Sequence, residues 1–348
     1  MSRIENIKIF IISNKLECPI RYSRHIDSFQ FLPKTEDELD WINNINNAVV
    51  KHDIDIIMPI FTDAIESVIK YKYAIRAKNK LNFFPTINDF KIADCKFLLS
   101  NHLLDINLPF PKSLLLDFNN LESLNDLCFP IIVKPLEGVG GGGGMNIFND
   151  FLDLKQYFST INYNIKYLAQ EYISGYDIDC SVICKSVEIL AFTIQKAFLN
   201  NDNSFGPAFG VEFVEERRLY DIVKKLMKSL LWSGVAHIDL RFDEKLNEFK
   251  VIEINPRFWG STDASLLAGI NFPELYYLAS LDREFNTPKY KNIRFLNLKG
   301  LKKTLKRNPF FIFRFDFIIR NTSINFFIKD PLPTFFNLMS RTKFIFRS

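Results

Sequence analysis

Residues 234–242 read GVAHIDLRF and residues 248–257 read EFKVIEINPR, and the expected fold follows from these two segments. Both segments alternate polar and apolar residues, which is the two-residue period of a half-buried strand. The residues between them, DEKLN, have the composition of a turn, so the pair predicts a β-hairpin. If the turn is centred near Leu246, Asp239 lies opposite Glu253 on one face, with Cβ atoms about 5 Å apart.

Two facing carboxylates repel each other, but a hard divalent cation between them makes the arrangement favourable. Asn255 lies two residues beyond Glu253 on the same face and supplies another oxygen, and Arg257 follows it. The alternative is the solvated polar face of an ordinary hairpin, although such faces normally mix in lysine and threonine. The hairpin therefore predicts a site for Mg²⁺, or for Mn²⁺, with the ligands Asp239, Glu253 and Asn255.

A second segment, FPIIVKPLEGVGGGGGM at residues 129–145, joins a short apolar strand to six glycines between Gly138 and Gly144. The run is either a flexible linker or a loop that covers phosphates, because glycine lets backbone N–H groups approach anionic oxygens closely. Linkers usually mix in serine and lack a flanking buried strand. The Walker A and protein-kinase signatures are absent. In a phosphate-covering loop, Lys134 at the end of the strand adds a positive charge.

Between these segments, residues 168–182 read LAQEYISGYDIDCSV, which alone predicts only a strand and a turn. Taken together, the order and spacing of the three segments resemble the ATP-grasp superfamily, specifically its carboxylate–amine ligases related to carbamoyl-phosphate synthetase and D-alanine–D-alanine ligase. The resemblance covers about residues 4–285. It implies a mixed α/β (α+β) chain with an ATP-grasp fold, preceded by a Rossmann-like domain with a parallel sheet.

The resemblance also implies roles for individual residues, each matched to a position of the family pattern. The positions that would bind ATP are Lys96, Lys134, Gly140, Gly141, Gly142, Gln170, Glu171, Ile173 and Asp177. Among these, Gln170 and the backbones of Glu171 and Ile173 would face the adenine, and Asp177 would face the ribose. Arg257 would lie against an acyl-phosphate, with His237 as a lesser catalytic candidate beside it.

The activity implied by the resemblance is an ADP-forming ligase that joins a small-molecule carboxylate to a small-molecule amine. Mg-ATP would phosphorylate the carboxylate, and the amine would then attack the acyl-phosphate to give an amide or peptide bond. Two alternatives stay open, namely an ATP-grasp small-molecule kinase and a non-catalytic ATP-binding module. Arg257 favours the ligase over the binding module, because a pure sensor has no need of an acyl-phosphate arginine.

The N-terminal region has the pattern of a βαβ unit. Residues 7–13 (IKIFIIS) and 55–61 (DIIMPIF) are apolar runs typical of buried parallel strands, with a helix expected between them at about residues 36–52. No glycine-rich dinucleotide turn follows the first strand, so a Rossmann NAD site is poorly supported. A further helix is expected from about Ala93 to His102. We therefore expect three regions: a first domain at 1–92, an ATP-grasp domain at 93–285 with a glycine-loop subdomain at about 112–175, and an extension at 286–348.

The extension at residues 286–348 differs in composition from the rest of the chain. It holds 14 Lys and Arg against two acidic residues, a net charge of +12, which leaves −8 for residues 1–285. It also holds 12 of the 36 phenylalanines. Such a segment either packs on the oppositely charged body or docks on an anionic surface such as a membrane. No nucleic-acid motif accompanies the charge, so we expect no nucleic-acid partner.

The remaining features concern the compartment. No apolar run approaches the roughly 18–20 residues that cross a bilayer, and Ile9–Ile12 is too short for a signal-peptide core. The five cysteines are scattered without a CxxC pair, which is typical of reduced thiols. These features predict a cytoplasmic protein. The basic extension leaves peripheral association at the inner face of the membrane through residues 286–348 open as an alternative to packing on the body.

Overall fold

A computed structural model describes residues 7–76, 83–117, 121–136, 143–159, 166–202 and 205–345. The chain forms two compact units. The first unit holds the N-terminal residues through Phe84, Asn271–Asn286 and the chain from Leu296 onward, and the second holds Pro85–Ile270 and Thr287–Phe295. The three domain limits expected from the sequence stay a prediction.

The strands form three sheets within the described residues. Their bounds are β1 Phe10–Ser13, β2 Ser28–Phe31, β3 Ser113–Leu115, β4 Ile131–Pro135, β5 Asn146–Phe148, β6 Tyr167–Glu171, β7 Gly175–Lys185, β8 Glu188–Leu199, β9 Gly210–Phe213, β10 Gly234–Asp243, β11 Glu248–Asn255 and β12 Arg294–Leu296. One sheet has the order β1-β2, one has the order β3-β6-β4-β5, and the largest has the order β11-β10-β7-β8-β9-β12.

The helices of the described residues lie before, between and after these strands. Their bounds are α1 Glu38–His52, α2 Thr62–Lys70, α3 Ile87–Asp94, α4 Lys96–Asp105, α5 Phe151–Phe158, α6 Arg217–Ser229, α7 Thr262–Ala268, α8 Phe272–Ser280, α9 Leu298–Arg307, α10 Phe315–Arg320, α11 Ile324–Lys329 and α12 Pro331–Ile345. Short 3-10 helices occupy Pro19–Tyr22, Leu121–Asp126 and Pro309–Phe313.

The six-stranded sheet confirms the predicted hairpin. Strands β10 and β11 pair antiparallel, and Asp239 lies opposite Glu253 in the register. A bulge directly after Asp239 shifts the register, so that Leu240 pairs with Val251. Such a bulge re-aims the side chains next to it. The period-two pattern therefore predicted the carboxylate pair correctly, whereas the bulge left no signal in the alternation.

The two faces of this sheet are both largely covered. On the apolar face, Ala236, Ile238 and Leu240 are fully buried, as the alternation predicts. Helix α6 packs on the neighbouring strand β7 and is amphipathic, because its buried residues recur at helical spacing. On the polar face, Ser181 and His237 are also buried. That polar face is therefore only partly solvated, since the side chains of Asp239 and Glu253 are 32% and 26% exposed.

The N-terminal unit contains the expected parallel sheet, but with a different second strand. Strand β1 pairs in parallel with β2, with Phe10 opposite Ser28, and helix α1 follows as expected. The prediction of a strand at Asp55–Phe61 was wrong, since the described chain forms no strand there. Pro59 lies within that run, and proline has no N–H to donate to a strand ladder.

The basic extension packs on the N-terminal unit. Helix α12 lies against the 3-10 helix Pro19–Tyr22, and the ring of Tyr22 stacks on that of Phe336 with centroids 3.6 Å apart. The hydroxyl of Ser23 donates a hydrogen bond to Asp330. The extension is therefore part of a folded unit. None of the helices within the described residues combines the length and the apolar character that a membrane span requires.

Candidate active site

The three predicted metal ligands lie together on the β10–β11 hairpin. The Asn255 side chain links the two carboxylates, because its Nδ2 donates to Asp239 Oδ2 and to Glu253 Oε1 at 3.3 Å each. The Asn255 amide oxygen instead accepts a hydrogen bond from Arg257 Nη2 at 2.9 Å. Carboxylate and amide oxygens are the ligands that Mg²⁺ and Mn²⁺ prefer. The donor set therefore fits a hard divalent cation, with rotation of the amide required for oxygen ligation.

Lys96 reaches this hairpin from a helix start that the sequence pattern did not predict. The expected helix over Ala93–His102 is broken at Cys95, whose extended backbone (φ −101°, ψ 114°) ends α3 and caps α4. Lys96 is consequently the first residue of α4. Its Nζ lies 3.2 Å from Glu253 Oε2, and about a quarter of each side chain is exposed.

The two facing carboxylates have different protonation chemistry. Burial would raise the pKa of Glu253, but the positive charges of Lys96 and Lys134 outweigh it and lower that pKa to about 2. For Asp239, burial and the nearby carboxylates of Asp179 and Glu253 raise the pKa well above its ordinary value. A bound cation favours the ionised form of both groups. The nearby carboxylates repel the ionised form of Asp239, and a bound cation would relieve that repulsion.

Lys134 lies on β4 as predicted and is almost fully buried, with 2% of the residue exposed. Its Nζ donates to Gln170 Oε1 at 2.8 Å, and Gln170 Nε2 donates to Ser113 Oγ at 2.8 Å. Burial lowers the pKa of Lys134 to about 8, although the Glu253 carboxylate opposes the shift. An anionic ligand would stabilise the charged form that burial disfavours. The lysine is therefore prepared to pair with an added anion.

The Gln170 side chain, expected to face an adenine, is held by Lys134 and Ser113 in this arrangement. The Glu171 carboxylate accepts from the backbone N–H of Cys128 at 3.2 Å, and the Glu171 N–H donates to the Lys112 carbonyl. The strand β6 that carries both residues pairs with β3 and β4. These contacts fix strand β6 inside the four-stranded sheet.

Arg241, on β10, binds the residues that follow strand β6. Its guanidinium donates to the Ile173 carbonyl at 2.6 Å, to the Gly175 carbonyl at 3.0 Å and to the Asp177 carboxylate. Asp177, expected at a ribose, is therefore paired with Arg241. Gly175 has φ +149°, and a Cβ there would lie 1.9 Å from the Phe242 carbonyl oxygen. Only glycine fits at this close approach of the paired strands β7 and β10.

His237 is the centre of a buried polar cluster. Its Nδ1 lies 2.9 Å from Ser181 Oγ, and its Nε2 lies 3.2 Å from Asp239 Oδ1. Burial lowers the pKa of His237 to about 3, so the imidazole is neutral at physiological pH. We assign the proton to Nε2, which donates to Asp239, and a hydroxyl proton from Ser181 to Nδ1. The ring stacks on Trp259 with centroids 5.3 Å apart.

Asp179 is the site residue that the sequence interpretation missed. Its Oδ2 lies 3.9 Å from His237 Nε2, and Asp179, His237 and Asp239 lie close enough to hold a metal ion. Burial and the Asp177 and Glu253 carboxylates raise the pKa of Asp179 to about 7, although a hydrogen bond from Gln195 opposes this. The sequence signal that could have identified Asp179 is the alternation in GYDIDCSV, which places Asp177, Asp179 and Ser181 on one face of the strand.

Arg257 follows β11 and is held by two hydrogen bonds, one to Asn255 Oδ1 and one of 3.0 Å to the Phe258 carbonyl. The structure thus brings Lys96, His237, Asp239, Glu253, Asn255 and Arg257 into one connected group. Lys134 affects the same group through its charge on Glu253. The predicted glycines Gly140, Gly141 and Gly142 lie outside the described residues.

Comparison with known proteins gives a domain match and several relatives of similar sequence. A family model described as an ATP-grasp domain matches residues 93–261. The carbamoyl phosphate synthase large chain of Clostridium perfringens (strain SM101 / Type A) is 26% identical over 269 residues, which cover 73% of this chain and 24% of that protein. The D-aspartate ligase of Enterococcus faecium (strain Aus0004) is 23% identical over 243 residues, which cover 63% of this chain and 53% of that ligase.

Among solved structures, N5-carboxyaminoimidazole synthetase from Staphylococcus aureus complexed with ADP has a similar fold, with a TM-score of 0.67 at 18% identity. The similarity covers 87% of this chain and 80% of the synthetase. The chain spans about a quarter of the length of the clostridial carbamoyl phosphate synthase large chain and about half that of the D-aspartate ligase. Residues 93–261 therefore match an ATP-grasp domain, and the chain shares its fold with the synthetase.

Proposed function

We propose that the chain is an ADP-forming carboxylate–amine ligase. The γ-phosphoryl group of ATP moves to a carboxylate oxygen of the first substrate, which gives ADP and an acyl-phosphate. The amine nitrogen of the second substrate then attacks the acyl carbon, the phosphate leaves, and the nitrogen loses a proton. The products are an amide, inorganic phosphate and ADP.

The observation that supports this proposal most strongly is the hydrogen-bonded connection between the cation site and Arg257. Asn255 donates to both carboxylates and accepts from Arg257, so one side chain joins the two. A site that only bound nucleotide would need phosphate-binding cations but no further positive charge at the acceptor side. In this scheme, Arg257 stabilises the developing charge on the acyl-phosphate.

The other residues position and neutralise the nucleotide phosphates. Mg²⁺ held by Asp239, Glu253 and Asn255 would supply positive charge to the transferring phosphoryl group, and Mn²⁺ would serve in its place. Lys96 and Lys134 bind the phosphates, and the phosphate charge keeps Lys134 in its protonated form. The residues Gly140, Gly141 and Gly142 cover the phosphates, while Gln170, Glu171 and Ile173 contact the adenine and Asp177 the ribose.

His237 contributes as a neutral hydrogen-bond donor. With a pKa of about 3, it does not carry a proton for general acid catalysis at neutral pH. Its Nε2 proton instead orients the Asp239 carboxylate at 3.2 Å, and Ser181 fixes the ring from the other side. The polar cluster therefore holds the cation ligands in place before the substrates bind.

The substrates are small molecules, and amino acids are the first ones to test. The name of the E. faecium relative, D-aspartate ligase, identifies an amino acid as a substrate of that protein. We place the activity in the cytoplasm, where reduced cysteines, ATP and Mg²⁺ are found together. Nucleic acid has no role in the proposed reaction.

The test is to mix the full chain with Mg-ATP and pools of amino acids and to measure ADP release and product mass. Release of ADP that requires both a carboxylate and an amine, with an amide-linked product, supports the ligase. A stable phosphorylated product formed from one substrate indicates a kinase and contradicts the proposal. Nucleotide binding without turnover in any pool contradicts it as well.

The matched control for this test is a pair of variants on strand β11. Glu253→Gln removes a proposed cation ligand and is expected to abolish ADP release. Glu248→Gln lies on the same strand, where Glu248 pairs with Lys250 at 3.5 Å, and is expected to retain activity. Equal turnover in the two variants would show that the observed reaction does not use the proposed cation site.

A further inference from the structure

The segment at residues 309–315, PFFIFRF, displays large apolar side chains to solvent and is called the aromatic segment below. Phe310 is 76% exposed, Phe313 is 67% exposed and Phe315 is 60% exposed, and Ile312 is also exposed. Single exposed apolar residues are common on protein surfaces, but a contiguous group of them marks an interaction surface. The proposed ligase chemistry makes no use of this segment.

The aromatic segment is folded, so its exposed side chains are held in place. The side chain of Asn308 caps the 3-10 helix Pro309–Phe313 by accepting from the Phe310 N–H at 3.1 Å. The rings of Phe311 and Phe317 pack edge to face with centroids 5.5 Å apart, and Ile318 is buried. The inward side chains therefore anchor the segment while the outward ones remain available.

Basic side chains border these apolar groups. Lys306 and Arg307 end helix α9 immediately before the segment, and both are exposed. Arg314 is exposed between two phenylalanines and lines the same shallow cavity as Phe313 and Phe315. Within the described residues, Arg314 has no acidic ion-pair partner. An apolar surface bordered by unpaired basic groups is complementary to anionic headgroups above acyl chains.

We propose that the aromatic segment, together with Lys306, Arg307 and Arg314, docks the protein on an anionic lipid bilayer. Docking is interfacial, because the described helices do not meet the requirements of a span. The phenylalanines enter the boundary between headgroups and acyl chains, and the basic side chains pair with lipid phosphates. The chemistry recognised is therefore an anionic phospholipid surface.

Two other occupants fit the surface less well. A second copy of this chain would bring two extensions of net charge +12 against each other, which is unfavourable. A single-stranded nucleic acid would use stacked rings, whereas the extension also exposes aliphatic side chains outside the segment. These are Ile319, Ile328, Leu332 and Met339. Aliphatic groups gain from burial in lipid but offer bases no stacking surface.

The experiment is co-sedimentation of the full chain with vesicles of two parts phosphatidylcholine to one part phosphatidylglycerol, compared with phosphatidylcholine alone. We expect binding to the anionic vesicles that weakens with salt. The variant Phe310→Ser/Phe313→Ser/Phe315→Ser should bind at least about tenfold more weakly. The variant Lys306→Glu/Arg307→Glu/Arg314→Glu should bind at least about a hundredfold more weakly and lose most of the salt dependence.

Matched controls use equally exposed apolar residues elsewhere. Tyr73 is 77% exposed and Leu152 is 76% exposed, and the variants Tyr73→Ser and Leu152→Ser should bind vesicles like the wild type. Substitution is preferred to truncation of the extension, because α12 packs on the N-terminal unit. ADP release measured without vesicles should be unchanged in all variants, so failure to dock is distinguishable from failure of the ligase proposal.

Several outcomes would overturn the proposal. Wild-type protein that stays in the supernatant with anionic vesicles at low salt contradicts it, and so does equal binding of the triple phenylalanine variant. A dimer in solution that this variant converts to a monomer would assign the surface to a second copy. Tighter binding to a fluorescent single-stranded RNA than to vesicles, lost in the same variant, would assign it to nucleic acid.

Discussion

The β10–β11 hairpin and the C-terminal extension depart from ordinary folding rules in opposite directions. The hairpin and its neighbouring strands enclose polar groups, with His237 buried beside Asp239 and Ser181. The extension exposes apolar groups, with Phe310 and Phe313 mostly in solvent. Both arrangements cost folding free energy compared with the usual partition of polar and apolar residues.

The difference between the two regions indicates what each one binds. Enclosed carboxylates beside lysines suit a small charged ligand and a cation, since burial strengthens their electrostatic interactions. Exposed rings beside arginine suit a broad surface with apolar and anionic layers. In both regions, the ligand removes the unfavourable exposure or crowding. Substitutions should therefore change activity strongly in the hairpin and stability weakly in the extension.

The largest expected effect is on turnover in the hairpin. Glu253→Gln should lower kcat at least about a thousandfold, because it removes a cation ligand from the phosphoryl-transfer site. The free energy of unfolding should also fall at neutral pH, because the charges of Lys96 and Lys134 stabilise the ionised Glu253 carboxylate in the folded protein. Assays of ADP release measure kcat, and urea unfolding measures the free energy of unfolding. Wild-type turnover of the variant at low magnesium would contradict the cation assignment.

The second effect separates chemistry from nucleotide binding. Arg257→Ala should slow the chemical step by about 2–4 kcal/mol and leave the Kd for MgATP nearly unchanged, because Arg257 acts on the acceptor side. Lys134→Met should instead raise that Kd. Single-turnover rates and nucleotide titrations distinguish the two variants, with Arg218→Ala on α6 as an arginine control. Equal loss of nucleotide affinity in both variants would contradict the separation of roles.

The third effect is a pH dependence that arises from Lys134. Its pKa falls from the ordinary value of 10.5 to about 8 on folding, so between these values the unfolded chain binds more protons. Lys134 should therefore contribute a rise of up to about 3 kcal/mol in the free energy of unfolding of the nucleotide-free protein across this window. The buried thiols of Cys180 and Cys184, whose pKa burial raises, contribute a fall, so the difference between the wild type and Lys134→Met isolates the lysine. Urea unfolding across the window measures the slope. Lys134→Met should lack this contribution, and an identical slope in the variant would refute it.

The smallest expected effect is on the stability of the extension. The triple variant Phe310→Ser/Phe313→Ser/Phe315→Ser should change the free energy of unfolding by less than about 1 kcal/mol, because these side chains are already solvated. Ile238→Ala, at a fully buried position, should cost about 2–5 kcal/mol. Thermal and urea unfolding compare the two. A loss above about 2 kcal/mol in the triple variant would mean that the rings are covered in the folded protein.

Local patterns predicted the parts of the site that depend on neighbouring residues in sequence. The pairing of Asp239 with Glu253 followed from alternation and a short turn, and the strand before Lys134 followed from its apolar run. The role assignments for the nucleotide residues came from the family resemblance and remain predictions. The resemblance agrees with the ATP-grasp domain model that matches residues 93–261.

Contacts between distant segments could not be predicted in the same way. Asp179 lies opposite Asp239 because β7 pairs with β10, and alternation within either strand does not specify that partner. The pairing of Arg241 with Asp177 has the same origin. In the N-terminal unit, an apolar run suggested a strand at residues 55–61, but Pro59 and the competing strand β2 gave a different sheet.

Gly175 has a consequence for how this protein could be diversified. At the start of β7, the paired strand β10 lies so close that a methyl group at Gly175 would meet the Phe242 carbonyl oxygen at 1.9 Å. A mutational scan should therefore find position 175 intolerant of every other amino acid, while the neighbouring Tyr176 has more freedom. Variation in this part of the protein would then have to come from the side chains around Gly175 and not from position 175 itself.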